Sequence, residues 1–345
     1  MLNDEMNFKE YIELHRNKIY STICNYIPIK EPEEHYKMIR DYIDRQGSYR
    51  RPGLLMLSGQ MFGASIDKLI LPAAAMQLSE DWILIHDDVE DHSELRRGKP
   101  AIQKIYGDEL AINAGDGGHI AMWKIIKDSA DLLGKKRGAL MFDKFYNMLE
   151  RTVEGQFLDT NFIYNTRSIR NASEDLYYKI IQSKTCYYTV YGPMQLGAIA
   201  AGSRKGYLNI LEKIGTNAGI AFQIVDDILD MTADEKVFGK QRYGDIYEGK
   251  VTIIALNAFA KADNAEKEKL DSIYAKPRKE KTKEDIAYVV DLVNKYGCID
   301  YAKDIARAYG EKARDAVEKY KNRLPTNEYT DIMLSAMEEM YMRSK

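Results

Sequence analysis

Two short acidic segments carry most of the chemistry that this sequence could perform. Asp87–Asp91 reads Asp-Asp-Val-Glu-Asp, and Asp226–Asp230 reads Asp-Asp-Ile-Leu-Asp. Each segment ends a run of mainly apolar residues with the spacing of a buried helix. Carboxylates this close together repel one another, and burying them costs free energy unless a cation joins them. Both segments are therefore candidate cation sites.

The spacing within each segment predicts how its carboxylates are arranged. Residues four apart lie on one face of a helix, so Asp87 stacks over Asp91 and Asp226 over Asp230. Two such faces turned toward each other would form a cage for hard divalent cations. Mg²⁺ prefers carboxylate oxygens, retained waters and the oxygens of a substrate phosphate. We therefore expect Mg²⁺ as the cofactor and a phosphorylated substrate.

Basic residues follow both acidic segments. Arg96 and Arg97 come just after the first segment, and guanidinium groups bind phosphate oxygens in bidentate fashion. The second segment is followed by Lys240, which has a glycine before it, and then by Lys250. Each loop alone is commonly an exposed surface loop. Two acidic segments, each followed by its own basic loop, favour a diphosphate-binding site.

The composition excludes several classes of function. The 345 residues are 45% hydrophobic and carry a net charge of −3, so no global basic field points to nucleic acid. No apolar run reaches the length of a transmembrane segment. The three cysteines, Cys24, Cys186 and Cys298, are isolated; they fit a reducing cytoplasm and offer no zinc spacing. We expect a cytoplasmic protein.

Helical periodicity dominates the chain from end to end, without a convincing alternating-strand segment. Thr282 and Asp285 resemble a capping box, which supports one of the helix starts. No linker divides the two acidic segments, so we expect one all-α domain over residues 1–345. The predicted helices run about 6–27, 33–46, 53–63, 67–91, 108–133, 136–164, 173–182, 185–201, 206–233, 250–262, 265–274, 283–297, 299–322 and 327–343.

The predicted helix over 185–201 is apolar nearly all round, which is typical of a helix buried in a large bundle. Pro193 should kink it. The simplest interpretation is a central core helix. A second interpretation adds that this helix lines an apolar substrate cavity.

These motifs together resemble the trans-isoprenyl diphosphate synthases, or polyprenyl synthetases, and among them the short-chain geranylgeranyl and farnesyl diphosphate synthases. In that family the first aspartate-rich motif precedes Arg-Arg-Gly-x-Pro, and the second reads Phe-Gln-x-x-Asp-Asp, then Gly-Lys and Asp-Leu-x-Glu-Gly-Lys. This chain has matching segments at 96–100, 222–227, 239–240 and 245–250, and Lys184-Thr185 heads the apolar helix as in the family. The resemblance spans roughly residues 45 to 255. It implies a large antiparallel helical bundle around a central cavity, usually a homodimer.

The resemblance implies a role for each acidic residue and for several cations. Asp87, Asp91 and Asp226 would hold Mg²⁺ ions that bridge the diphosphate of an allylic substrate. The remaining aspartates of the two segments would support these ligands: Asp88, Asp227 and Asp230. The residues that would contribute positive charge to the same diphosphate are Arg96, Lys184, Lys240 and Lys250.

The resemblance also implies a reaction, the condensation of isopentenyl diphosphate with an allylic diphosphate. Metals and cations would stabilise the departing diphosphate. The Thr185 hydroxyl, the Gln223 side chain and the backbone carbonyl of Lys184 would present oxygens to the allylic carbocation. The double bond of isopentenyl diphosphate would then attack, and a proton would be lost to the released diphosphate.

The expected acceptor site departs from the family pattern. The family's Gly-Gly-Lys-Arg-x-Arg-Pro aligns with Gln46–Pro52, in which Arg51 is kept but Ser48 and Tyr49 replace a lysine and an arginine. Glu80 stands where the family usually has a histidine, and a carboxylate beside a diphosphate is repulsive. Arg51 and Arg97 are the acceptor ligands that remain. Weak acceptor binding, a rearranged site and a different acceptor are all compatible with this pattern.

Product length can be argued from the helix before the first acidic segment. Trp82 precedes Asp87 by five residues, which is about 7.5 Å along a helix, so its indole could be the floor of the cavity. The alternative is an ordinary core position or a dimer contact. In the family an aromatic residue here, with a non-aromatic neighbour such as Ile83, resembles enzymes that make farnesyl or geranylgeranyl diphosphate. We favour geranylgeranyl diphosphate as the product.

Two other functions remain open from the sequence. A class I terpene cyclase or head-to-head condensing enzyme also uses Mg²⁺ and aspartate clusters, but lacks the Arg-Arg-Gly-Lys-Pro and Gly-Lys loops found here. A regulatory subunit could bind prenyl diphosphate with little turnover, and the altered acceptor site gives this hypothesis some support. Loss of one aspartate cluster would favour the regulatory hypothesis, yet both are intact.

Overall fold

The computed structural model describes residues 6–233 and 242–342, which are almost entirely helical. The all-α prediction is confirmed. In chain order the α-helices are α1 (Phe8–Tyr26), α2 (Glu33–Asp44), α3 (Arg50–Met61), α4 (Ile66–Glu90), α5 (Ile102–Tyr106), α6 (Asp108–Leu133), α7 (Lys135–Asn161), α8 (Glu174–Ile181), α9 (Gly192–Ala201), α10 (Lys205–Thr232), α11 (Gly244–Glu248), α12 (Ile253–Lys261), α13 (Asn264–Tyr274), α14 (Lys283–Lys295), α15 (Cys298–Tyr320) and α16 (Glu328–Met342).

Local sequence signals explain where several helices begin. Asn7 and Thr282 each form a complete capping box, in which the side chain accepts a hydrogen bond from the third helical residue. The capping box predicted at Thr282 and Asp285 is therefore confirmed. Such a cap stabilises a helix by about 1 kcal/mol because it satisfies amide groups that the helix leaves without partners.

α4 and α10 form the centre of the bundle, and their C-terminal ends carry the two acidic segments. Glycines on α6 let it approach α4 closely. A side chain at Gly115 would meet the His86 ring at 2.3 Å, and one at Gly118 would meet the Trp82 Cβ at 3.0 Å. Buried apolar side chains of the long helices join into one connected core. The core thus fixes the end of α4 relative to its neighbours.

The segment between α8 and α9 differs from the predicted helix break near residue 183. Residues Gln182–Tyr191 form a π-helix that continues directly from α8 into α9. Pro193 lies in the first turn of α9, where its missing N–H is tolerated. Cys186, Val190 and Leu196 are fully buried, so the interpretation of this segment as core is confirmed. A π-helix changes which side chains face the cavity, and the sequence did not indicate it.

Several boundaries and small elements also differ from prediction. A two-residue hairpin pairs β1 (Leu95–Arg96) with β2 (Lys99–Pro100) directly after the first acidic segment. α3 starts at Arg50 rather than near residue 53, and α5 and α11 were not predicted. The π-helix Phe162–Thr166 extends α7, and 3₁₀ turns occur at Ile169–Asn171, Arg278–Glu280 and Lys321–Arg323. In the described ranges we find no helix with the length and apolarity needed to cross a membrane.

Candidate active site

The first acidic segment lies at the C-terminal end of α4, and its members point in different directions. Asp87 lines a cavity of about 420 Å³. Its carboxylate lies 3.3 Å from the Lys184 ammonium and 3.6 Å from the Arg96 guanidinium, and it accepts a hydrogen bond of 3.4 Å from the Gln156 amide. Cations from two other parts of the chain therefore converge on Asp87.

Asp88 faces the protein interior instead of the cavity. It is fully buried and accepts hydrogen bonds from Arg96 Nε at 2.9 Å and from the Tyr42 hydroxyl at 2.6 Å. Although burial acts to lower it, the pKa of Arg96 lies above its ordinary value because Asp88 is in direct contact. Asp88 thus holds the Arg96 guanidinium beside Asp87.

Asp91 caps the end of α4 and belongs to a chain of alternating charges. The Lys250 ammonium lies 2.9 Å from Asp91 and 2.5 Å from Glu248, which in turn accepts a hydrogen bond of 2.8 Å from Arg278. Burial and the nearby Glu248 charge raise the pKa of Asp91 well above its usual range. Burial acts to lower the pKa of Lys250, but Asp91 and Glu248 hold it well above the ordinary value.

The second acidic segment lies on α10 and reaches the same cavity. Asp226, Asp227 and Asp230 all contribute to the cavity lining. Asp227 is buried and accepts hydrogen bonds from the Tyr177 hydroxyl at 2.8 Å and from the Gln223 amide at 2.9 Å. Burial and the nearby Asp245 charge raise the pKa of Asp227 well above its usual range.

Asp230 fixes the start of the short helix α11. Its carboxylate accepts hydrogen bonds from the backbone amides of Gly244 at 3.1 Å and Asp245 at 3.3 Å. Asp230 also lines a smaller cavity of about 70 Å³, together with Asp87 and Asp91. The two acidic segments therefore face shared space in the positions expected from the sequence.

The donor set fits a hard divalent cation. Asp87 and Asp226 present carboxylate oxygens to the cavity, whereas Asp88 and Asp227 are directed toward protein groups. Oxygen donors of this kind suit Mg²⁺ when water and phosphate complete the coordination. Across residues 6–233 and 242–342, however, no three acidic, histidine or cysteine side chains are grouped closely enough to hold a metal by themselves. Metal binding would thus need phosphate or water oxygens as well.

The side chains of Lys184, Thr185 and Gln223 line the cavity beside the acidic segments. The Lys184 ammonium also lies 3.2 Å from Asp159. The Thr185 hydroxyl donates to the Gln223 side-chain oxygen at 2.8 Å. Gly155 permits this arrangement, since a Cβ there would lie 2.8 Å from the Lys184 amide nitrogen. α7 can therefore approach the π-helix that carries Lys184 and Thr185.

The predicted acceptor residues lie farther along the same cavity and α4. Arg51 lines the cavity, lies 3.1 Å from Glu80 and stacks over the Tyr188 ring at 4.7 Å. Arg97 lies 2.8 Å from Asp81. The structure therefore places Arg51 in the cavity lining but not Arg97, and each arginine contacts a carboxylate.

Trp82 also contributes to the cavity lining and is only 7% exposed. Its indole N–H points to the Met122 sulfur at 3.3 Å, and its ring lies 4.5 Å from the His119 ring. These contacts hold the indole in place. Lys240 is outside the residues that the structure describes.

Sequence reasoning missed residues that contact the predicted ones. Gln156 contacts Asp87 and Glu90, and Asp159 contacts Lys184, both from the last two turns of α7. Arg278 lines the smaller cavity. It belongs to the basic run 276–281, which the sequence alone predicts to be a solvated loop, with anion binding as the less favoured alternative. On α7 the available sequence signal was the Gly155-Gln156 pair, which precedes Asp159 by about one turn. No local pattern marked Arg278, because its partner Glu248 is distant in sequence.

Known proteins are similar to this chain over most of its length. The family model described as polyprenyl synthetase matches residues 32–293. The geranylgeranyl diphosphate synthase of Methanosarcina mazei is 32% identical over 318 residues, covering 91% of this chain and 92% of that protein. The geranylfarnesyl diphosphate synthase of Aeropyrum pernix is 34% identical over 276 residues, covering 79% of this chain and 83% of that protein.

Solved structures show the same architecture. The crystal structure of geranylgeranyl pyrophosphate synthetase from Pyrococcus horikoshii superposes with a TM-score of 0.83 at 30% identity, and the match covers 98% of each chain. The structure of a geranylgeranyl pyrophosphate synthase from Corynebacterium glutamicum has a TM-score of 0.86 to this chain. At 21% identity this match shows similarity of fold alone.

Proposed function

The chain belongs to the polyprenyl synthetase family, and from this premise we propose that it is a Mg²⁺-dependent trans-prenyltransferase that condenses isopentenyl diphosphate with an allylic diphosphate. The observation that supports the proposal most is the meeting of two acidic segments, from α4 and α10, at one cavity with apolar walls. The Methanosarcina mazei, Sulfolobus acidocaldarius and Saccharolobus solfataricus relatives are geranylgeranyl diphosphate synthases, which supports a short-chain product.

In this proposal Asp87, Asp91 and Asp226 hold Mg²⁺. Bound Mg²⁺ would supply positive charge that stabilises the diphosphate as the allylic C–O bond breaks. Lys184 and Lys250 contact Asp87 and Asp91 in the protein alone. With Asp87 and Asp91 holding Mg²⁺, Lys184 and Lys250 would be placed to contact the substrate diphosphate.

The remaining site residues position these groups or face the reacting carbon. Asp88 holds Arg96 so that its guanidinium can bind diphosphate. Asp227 accepts the Gln223 amide N–H, so the Gln223 oxygen remains on the side of Thr185 and the cavity. That oxygen, the Thr185 hydroxyl and the Lys184 carbonyl would stabilise the allylic cation. A new C–C bond forms to isopentenyl diphosphate, and the proton lost passes to an oxygen of the released diphosphate.

We further propose that Trp82 limits the product, with geranylgeranyl diphosphate as the main one. The rigidly packed indole lies on the cavity wall and precedes Asp87 by about 7.5 Å of helix. A longer allylic tail would have to displace this ring.

We also propose that the protein is a cytoplasmic homodimer. The three cysteines are unpaired, in keeping with a reducing compartment. α6 and α7 carry large apolar side chains that are exposed in the single chain, including Ile120 at 72% and Phe157 at 65%. A second copy of this chain is the simplest cover for such a face. Light scattering at micromolar concentration should give twice the 39.6 kDa chain mass.

The proposed function can be tested with purified protein, Mg²⁺, labelled isopentenyl diphosphate and each allylic diphosphate from five to twenty carbons. We expect a labelled prenyl diphosphate whose length stops at twenty carbons. Binding of allylic diphosphate without transfer would instead support a regulatory subunit. A hydrocarbon formed without isopentenyl diphosphate would identify a cyclase.

A further inference from the structure

Two consecutive acidic residues lie in the middle of α4, where the helix is otherwise buried and largely apolar. Glu80 is 8% exposed and Asp81 is 2% exposed. Burying a carboxylate costs several kcal/mol of folding free energy unless a partner compensates the charge. These acids therefore need cations, and the cations they contact are both arginines next to the substrate cavity.

The first pair joins Glu80 to Arg51. The Arg51 guanidinium lies 3.1 Å from a Glu80 oxygen and stacks over the Tyr188 ring. The Tyr188 hydroxyl is in turn fixed by Ser79 at 2.8 Å. Within the described part of the chain, the Arg51 Nε and one Glu80 oxygen are buried without a well-formed hydrogen bond. The pair is thus a charge contact that leaves hydrogen-bonding capacity of Arg51 unused.

The second pair joins Asp81 to Arg97 at 2.8 Å. The Gln77 amide also approaches Asp81, at 3.2 Å, and Arg97 donates to the Tyr42 carbonyl. The same Arg97 nitrogen that contacts Asp81 is 3.9 Å from Glu80. The two pairs therefore form one cluster of two guanidinium groups and two carboxylates with no net charge.

The position of this cluster decides what it can do. Among the cavity-lining cations in the described ranges, Arg96, Lys184 and Lys250 contact the aspartate segments, whereas Arg51 contacts Glu80. A reaction between two diphosphates needs cations for the second one, away from the first. Arg51 lines the cavity and Arg97 adjoins it through Glu80, and both arginines already contact carboxylates.

We propose that Glu80 and Asp81 are built-in counter-ions of the acceptor site, so that the acceptor diphosphate binds Arg51 and Arg97 only by displacing them. The inference rests on the proposed function for the identity of the acceptor. Glu80 and Asp81 thereby set a weak acceptor affinity and select for an acceptor with enough charge to compete. Binding of the allylic diphosphate, which uses the other end of the cavity, is independent of them.

The decisive variant is Glu80→Gln, which keeps the shape of the side chain and removes its charge. We expect the dissociation constant of isopentenyl diphosphate, measured by calorimetry without allylic substrate, to fall by about tenfold, the scale of one charge contact. The acceptor KM should fall in parallel, while kcat and the allylic KM stay within about twofold. Glu268→Gln, which removes the same charge from a surface pair with Arg170 at 2.7 Å, should change none of these.

Asp81→Asn provides an independent test that leaves the Glu80–Arg51 contact intact, and it should tighten acceptor binding by a smaller factor. It also decides the matter if Glu80→Gln does not fold, which a thermal melt would reveal. Unchanged or weakened binding of isopentenyl diphosphate in the folded variants would overturn the counter-ion role. Absence of prenyl transfer by the unmodified protein would overturn the proposed function instead, while the binding data would still decide the role of Glu80 and Asp81.

Discussion

The two ends of the cavity use the same kinds of side chain to opposite effect. At one end, among the residues that the structure describes, the aspartates of α4 and α10 outnumber the cations that line the same space, Arg96, Lys184, Lys250 and Arg278. At the other, Arg51 and Arg97 are matched one for one by Glu80 and Asp81. A surplus of carboxylate favours divalent cations, and those cations can then bind an anion. A cluster whose charges already balance does not attract divalent cations, so an anion that binds its arginines must compete with the carboxylates that contact them.

One helix supplies acids to both ends. Glu80 and Asp87 are seven residues apart on α4, or about 10 Å along its axis. The difference between the ends therefore comes from the elements that meet α4 at each level. Near Asp87 these are α10 and the π-helix, which add aspartates and Lys184. Near Glu80 it is the start of α3, which adds arginine.

The largest effect should come from removing charge at the carboxylate-rich end. Asp226→Asn should lower kcat by about a thousandfold, the scale of losing a metal ligand or a central electrostatic contact. Asp131→Asn, in a surface pair with Lys127 at 2.7 Å, is the matched control and should keep full activity. Steady-state rates at saturating Mg²⁺ measure both. A loss below tenfold in Asp226→Asn would remove Asp226 from the metal site.

The pH dependence of stability should separate the balanced end from the rest of the protein. Burial, opposed by Arg97, raises the pKa of Asp81 from 3.8 to about 6. Because the pKa is raised in the folded state, Asp81 contributes its full stabilisation at pH values below 3.8, the pKa in the unfolded chain. This contribution is lost as the pH rises through about 6. The expected loss is about 2 kcal/mol between pH 4 and pH 7.

Urea unfolding of the unmodified protein and Asp81→Asn at several pH values measures this contribution. The free energy of unfolding of the unmodified protein should fall more steeply with pH than that of the variant. Parallel curves would show that Asp81 is ionised at pH 4 in the folded protein. With its pKa raised to about 6, Asp81 should be charged at neutral pH, as its role as a counter-ion of Arg97 requires.

Arg51→Ala should affect the two substrates unequally. We expect the acceptor KM to rise by about tenfold to thirtyfold, because a charge-assisted contact is lost, while the allylic KM changes little. Arg170→Ala, which removes a surface arginine, should leave both constants unchanged. Equal increases in both constants for Arg51→Ala would place the acceptor elsewhere in the protein.

The smallest expected effect is on product distribution. Trp82→Ala removes the indole from the cavity wall and should shift the products by one or more five-carbon units toward longer chains. Trp123→Ala is a matched control, because Trp123 lies on α6 outside the cavity lining. Chromatography of the hydrolysed products gives the answer. An unchanged distribution would show that another side chain limits the tail.

The helices and the aspartate spacing of the carboxylate-rich end depend on local sequence information, whereas the role of each residue there stays a prediction. The i, i+4 spacing of Asp87 with Asp91 and of Asp226 with Asp230 follows from helix geometry, and apolar periodicity identified α4 and α10. The all-α fold followed from the same periodicity. The family resemblance implied roles for Lys184 and Thr185, but nothing in the sequence indicated the π-helix that carries them, since π-helices have no comparable sequence signal.

The balanced end could not be predicted because it depends on contacts between distant residues. From the sequence, Glu80 is expected to repel an acceptor diphosphate, but nothing local indicates that it contacts Arg51 or that Asp81 contacts Arg97. Those pairs form only when α3 and the β1–β2 hairpin pack against α4. Gln156, Asp159 and Arg278 were missed for the same reason.

We propose above all that the two acidic segments act together on one diphosphate. Calorimetry with a non-hydrolysable allylic thiolodiphosphate, with and without Mg²⁺, tests it in the unmodified protein, Asp87→Asn, Asp226→Asn and the double variant. We predict binding that requires Mg²⁺, a loss of about a hundredfold in each single variant and little further loss in the double variant. Tight binding without Mg²⁺, or losses that simply add, would contradict a shared site.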